Sequence, residues 1–163
     1  MGDREGIPHL VVFEEEHRAL RALLSRVHGE ARARAVLLMD ANGQLVAEWG
    51  DTAGLDVTAF CSLAASNLAA TATMARLVGE RDLTIVFHQG RSDSIHLSLI
   101  GKVILAVIFG KDASLGMVRL RVRRVSEEIR AVVDRAVERM RGEPAAASLG
   151  DVTEEDIEGL LRF

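Results

Sequence analysis

The chain has 163 residues, 48% of them apolar and 27% charged, with a formal net charge of −4. That is enough for one domain with a real core, and it sets aside disordered chains and strongly basic nucleic-acid binders. One cysteine, Cys61, excludes an internal disulfide and a multi-cysteine metal cluster. The first ten residues carry acids where a secretory signal would carry bases, and no uninterrupted apolar run reaches the length of a membrane span. A soluble, cytoplasmic protein with no membrane span is expected.

In chain order, residues 10–29 place Phe13, Leu20, Leu23, Leu24 and Val27 on one helical face, with Glu14, Glu15 and Glu16 in the first turn and Gly29 as the stop. The period then changes. Strands are predicted at about 34–40 and 44–49, joined by Asn42-Gly43, a strong hairpin signal. A second helix over 55–79 carries Phe60, Leu63, Asn67, Thr71, Met74 and Val78 on one side. Another side holds small residues: Ser62, Ala65, Ser66, Ala69, Ala72 and Thr73. Gly79 ends it.

Three strands follow between 83 and 109. In the middle one Ile95, Leu97 and Leu99 alternate with His96 and Ser98, and VILAVIF is apolar on both faces, as a covered central strand should be. The longest helix, 114–141, has a continuous seam of Val118, Val122, Val125, Ile129, Val132, Ala136 and Met140, and Asp112 or Ser114 is its expected cap. A linker, GEPAAASLG, leads to a short terminal helix. The order predicts an α+β fold: a five-stranded antiparallel sheet with helices on its faces. The domain is placed at 1–142, with 143–163 as linker and docking helix.

No catalytic constellation emerges. Cys61 lies inside an amphipathic helix with no histidine near it in sequence, and reads as a small buried residue. His88, His96 and Asp93 lack recognised ligand spacing, so no metal is expected, and such histidines read as surface strand residues. Phosphate-binding and dinucleotide glycine motifs are absent, so no cofactor is expected. The arginines of the last long helix alternate with acids at contact spacing, as in Arg123–Glu127, Arg124–Glu128 and Arg135–Glu138, which reads as a solvated, ion-paired face.

Two features point to partners. From Thr52 to Ala75 the only charged residue is Asp56, so the second helix would present an uncharged outer face suited to an interface. Near the end, Thr153 and Asp156 have capping-box spacing, Val152 and Ile157 have hydrophobic-staple spacing, and Ile157, Leu160 and Leu161 make a small apolar face. Such a short helix is marginal alone and reads as a docking peptide.

The segments VVFEEE, LLMDANGQLVAEWG, SLAASNLAATATMARLVGE, FHQGRSDSIHLSLIG, VILAVIFGKDASLGMVRLRV and DVTEEDIEGLL together resemble the Roadblock family of dynein-light-chain-like domains, in its bacterial polarity-regulating branch. The resemblance implies a Roadblock/longin-like α-β-β-α-β-β-β-α sandwich and a homodimer in which the third strand and second helix of two subunits meet. Ser62, Ser66, Ala72, Ile85 and Phe87 would lie at that interface. It further implies binding of a small Ras-like GTPase (MglA-like), two subunits to one GTPase, through Ala65, Ala69, Thr73 and Arg76. Ile157, Leu160 and Leu161 would form a second docking element. The implied activity is acceleration of GTP hydrolysis, with a part in nucleotide exchange, by a regulator that is not itself an enzyme and donates no catalytic arginine. The alternatives are a Roadblock scaffold and a small-molecule sensor. A sensor needs a roomy pocket, which the dense strand VILAVIF speaks against.

Overall fold

A computed structural model of the chain describes residues 9–142. The predicted terminal helix, with Thr153, Asp156, Ile157, Leu160 and Leu161, lies outside the described residues. The elements are α1 (Glu14–Ala31), β1 (Ala35–Asp40), β2 (Leu45–Gly50), α2 (Val57–Leu77), β3 (Ile85–Gln89), β4 (Ser94–Ile100), β5 (Val103–Phe109) and α3 (Leu115–Gly142). The strands form one sheet in the order β2-β1-β5-β4-β3, antiparallel throughout. As the sequence predicts, β5 is covered on both faces and paired on both edges.

Strand alternation divides the core into two layers. Val36, Leu38, Val103, Leu105 and Val107 point toward α1 and α3 and meet Leu20, Leu24, Val122 and Ile129. Ala35, Leu37, Met39, Leu97, Ile104 and Ala106 point the other way, toward α2. Each large side chain fully buried in the first layer stabilises the fold by about 1.5–3 kcal/mol.

The α1/α3 pair is antiparallel and is stitched along its length. Arg139 donates to Glu16 at 2.7 Å, lies 3.6 Å from Glu15 and stacks over Phe13 at 4.4 Å. Arg26 pairs with Glu128, and Arg121 with Glu30 at 3.0 Å. The pairs expected inside α3 do not form: Glu128 turns to Arg26 rather than Arg124, because a neighbouring helix offers a partner that a lone helix lacks. The stop at Gly29 also needs correction. The helix continues to Ala31, and Arg32 adopts the left-handed conformation (φ 53) at its end, so that its own N–H reaches the carbonyl of His28. Ser114, rather than Asp112, caps α3, its Oγ accepting from the Met117 N–H at 3.2 Å.

The β1–β2 hairpin docks beneath α2. Buried Asp40 accepts from the N–H groups of Asn42 and Gln44, both at 2.9 Å. Gly43 has φ +83, and a Cβ there would stand 2.8 Å from the backbone of Ser62. The Asn-Gly signal therefore sets the turn and also lets it pass close under the helix.

Candidate interaction surface

The candidate site is built on α2. Asp56 caps it, accepting from the Ala59 N–H at 3.0 Å. Gly79 (φ +78) closes it, and the Glu80 N–H returns to the Ala75 carbonyl at 2.9 Å. The buried stripe is Cys61, Ala64, Ala65, Leu68 and Ala75. Its small side chains let the helix lie close on the sheet. Burial, with a contribution from the Glu48 carboxylate, pushes the Cys61 thiol up to about 11, so it stays protonated and a poor nucleophile.

Most of the large apolar residues grouped on one side of α2 turn outward in this orientation. Leu63 is 69% exposed, Met74 57% and Val78 74%, and Leu77 beside them is 83% exposed. Phe60, Leu63, Ala64 and Asn67 line an open groove of about 300 Å³ against His88, Ile95 and Leu97 of the neighbouring hairpin. The side-chain oxygen of Asn67 is buried without a hydrogen-bond partner. Beyond the groove runs β3, which pairs with β4 on one side and leaves its other edge open among the described strands. Ile85 on that edge strand is 48% exposed. Along the outer surface, Ser66 donates to the Ser62 carbonyl at 2.9 Å and Thr73 to the Ala69 carbonyl at 3.1 Å. These hydroxyls thus satisfy themselves on their own helix. Arg76 is drawn back over Thr73 at 3.2 Å.

A model of the Roadblock/LC7 domain matches residues 20–109, more than half of the chain. The chain belongs to the Roadblock/LC7 domain family. Among solved structures this Roadblock domain is similar to Myxococcus xanthus MglB, at 37% identity and TM-score 0.73, over 84% of this chain and 100% of that one. It is similar also to gliding protein MglB of Thermus thermophilus, at 27% identity and TM-score 0.73, over 78% and 98% of the two chains. A third likeness is to an MglB with a tetrameric arrangement, at 29% identity and TM-score 0.74, over 79% and 98%. No curated protein sequence matches the chain.

Within this Roadblock domain, Ser62, Ser66, Ala69, Ala72, Thr73 and Arg76 are exposed on α2. Ala65 is not: it is 7% exposed and packs on the sheet, one step round the helix from the surface stripe. Phe87 is half-buried and stacks on Phe109, with ring centroids 6.1 Å apart. The histidines cannot share a ligand. His88 is opposite Ile95 on the α2 side of the sheet, whereas His96 is opposite Phe87 and Val107 on the α3 side. Asp93 pairs with Arg34 at 2.9 Å. His96 is also no surface residue: it is 0% exposed, on the α3 side of the sheet.

The membrane expectation needs qualification. By length and composition alone, α2 is long and apolar enough to cross a membrane, although Ser, Thr and Asn interrupt it. Its packing on the sheet through Cys61, Ala64, Ala65 and Leu68 makes it an element of the Roadblock domain.

The sequence pattern groups Leu63, Met74 and Val78 on one side without marking it as exposed, and it does not single out Leu77. The signal was present: Cys61, Ala64, Leu68 and Ala75 repeat at helical spacing, but small residues weigh little when a face is judged by bulk.

Proposed function

We propose that this Roadblock domain is a homodimeric regulator of a small Ras-like GTPase of the MglA kind, with no active site of its own. The observation that carries the reading is the exposed, nearly uncharged outer surface of α2, continuous with the open edge of β3. An open edge strand invites pairing with another strand, and apolar side chains around it favour covering by a partner. A twofold axis beside β3 brings Ile85 and Phe87 of two copies together, extends the sheet, and sets two α2 helices side by side, with Ser62, Ser66 and Ala72 between them. The likeness to MglB structures, one of them tetrameric, supports self-association.

The paired helices then offer Ala69, Thr73 and Arg76 from each copy to one GTPase. Ala65 supports that surface from beneath. Ile157, Leu160 and Leu161 remain the proposed second docking element, with a part in nucleotide exchange. A surface of small side chains can bind a GTPase in its hydrolysis-competent state more tightly than in others, which accelerates hydrolysis by population shift without an inserted arginine. Cytoplasmic location, with enrichment at a cell pole, and a role in polarity or gliding motility follow from the same resemblance.

The test is GTP turnover by the cognate GTPase with and without the full chain. Stimulation is expected. A folded dimer that binds the GTPase without stimulating it overturns the regulator and leaves the scaffold. Thr73→Arg or Ala69→Arg should abolish GTPase binding while the dimer persists. Retained binding would place the contact elsewhere.

A further inference from the structure

On the sheet face away from α2, α3 leaves the strands at their β3 side and a cavity of about 330 Å³ opens between helix and sheet. The expectation of no roomy pocket rested on β5, and β5 is indeed packed on both faces. The space lies beside it, over β4. His96 lines it, 0% exposed, and neither ring nitrogen has a hydrogen-bond partner. Burial, reinforced by the charge of Arg119, holds its pKa below the ordinary histidine value. Near pH 7 it is therefore a neutral ring with one N–H to donate.

Arg119, Arg123 and Arg130 line the same space from α3. With Ser126 they recur at steps of four, three and four, which sets them on one side of the helix. None of the three forms an ion pair with a described carboxylate, whereas Arg121 and Arg139 on the same helix both do. No acidic residue lines the cavity. Ser98 and Thr84 add hydroxyls, and Ile85, Ile100 and Val122 add an apolar wall. The Ser126 hydroxyl already donates to the Val122 carbonyl at 2.7 Å.

We propose that the cavity between α3 and β3–β4 is a binding site for a small phosphorylated organic anion, held by Arg119, Arg123, Arg130 and His96. Guanidinium groups match phosphate oxygens in geometry and charge. Three of them beside a neutral imidazole donor suit the two negative charges of a phosphate monoester better than the single charge of a protein carboxylate. The volume exceeds what inorganic phosphate needs and reaches the lower range of small-molecule pockets. The apolar wall would face the organic part. This site is separate from the outer surface of α2, and α3 lies beyond the residues that the family model matches. Ile85 is shared with the proposed dimer interface, but the arginines and His96 are not, so the anion contacts do not depend on whether the chain regulates a GTPase.

The experiment titrates the full chain with glycerol 3-phosphate, adenosine 5′-monophosphate, pyrophosphate and citrate, by calorimetry and by NMR of the histidine ring signals. At least one phosphate ester should bind saturably and shift the His96 signals. The double variant R119Q/R123Q should bind it about tenfold more weakly or worse, and R124Q, outside the cavity, within roughly twofold of the parent. If the double variant loses its circular dichroism, R123Q alone carries the comparison. The proposal is overturned if no ester binds up to about 10 mM, if citrate alone binds, if His96 does not respond, or if R124Q weakens binding as much as the cavity variants. An acidic protein partner as the true occupant would give the first of these outcomes.

Discussion

The two faces of the sheet are finished differently. On one, α1 and α3 lie side by side, close over Leu38, Leu105 and Val107, and bind each other through Arg139–Glu16, Arg26–Glu128 and Arg121–Glu30. On the other, α2 lies alone, buries a thin stripe of alanine, cysteine and leucine, and turns Leu63, Met74 and Leu77 outward. A lone helix on a sheet buries one stripe only, and its remaining surface is charged or covered. Here it is neither within one chain. The difference separates stability, which resides in the α1/α3 layer, from association, which we assign to the α2/β3 layer.

Substitutions should act according to layer. The largest effect is expected from Ile129→Ala, which empties a fully buried site under α3. It should cost about 2–5 kcal/mol in urea unfolding, with GTPase binding by the remaining folded fraction unchanged. Next, Ile85→Arg on the open edge should weaken self-association by about 2 kcal/mol or more, read by sedimentation, with secondary structure intact. A dimer of undiminished affinity would remove β3 from the interface. Cys61→Ser puts a hydroxyl into the apolar contact beneath α2 and should cost about 1–3 kcal/mol. In the native protein the same thiol, protonated and enclosed, should resist thiol reagents at pH 8, and should react once unfolded.

A subtler test uses acid. Buried Glu16 has its carboxyl pKa held below the ordinary 4.5, first by the hydrogen bond from Arg139. Its contribution to stability is therefore whole above that value and is lost as pH falls through the lower folded-state value. Arg139→Gln should make stability less sensitive to acid below pH 4.5, measured as the difference in unfolding free energy between the two proteins across that window. The smallest change in folding is expected from Leu77→Ser, within about 0.5 kcal/mol, because that side chain is already in water in the single chain. Any loss it causes should appear in assembly instead.

Much of this architecture was legible because each element carries its own period. The seam from Val118 to Ala136 names the face of α3 that is buried in the fold, whereas the alternation in β4 separates its two faces without naming the buried one, since His96 and Ser98 are buried and Leu99 is exposed. Asn42-Gly43 names the turn. α2 was harder to read. Its large apolar residues suggest an inner face, yet close packing on a flat sheet selects the small ones, and that choice depends on the separation of helix and sheet. The ion pairs failed for a related reason. Spacing within α3 names candidate partners, but α1 lies near enough to offer others. His96 was read as exposed because alternation tells which face a side chain takes, and not what lies over that face.

By itself, then, the sequence determined the elements, their order, the family and the uncharged character of α2, since all of these are local or cumulative properties of the chain. Only the tertiary structure decided which side of α2 faces water, that β3 stands at an edge, and that three arginines and a buried histidine share one cavity. Each of those depends on which segments, remote along the chain, come to lie against one another. Burial, pairing and charge compensation are set at those contacts, where no residue carries the whole signal.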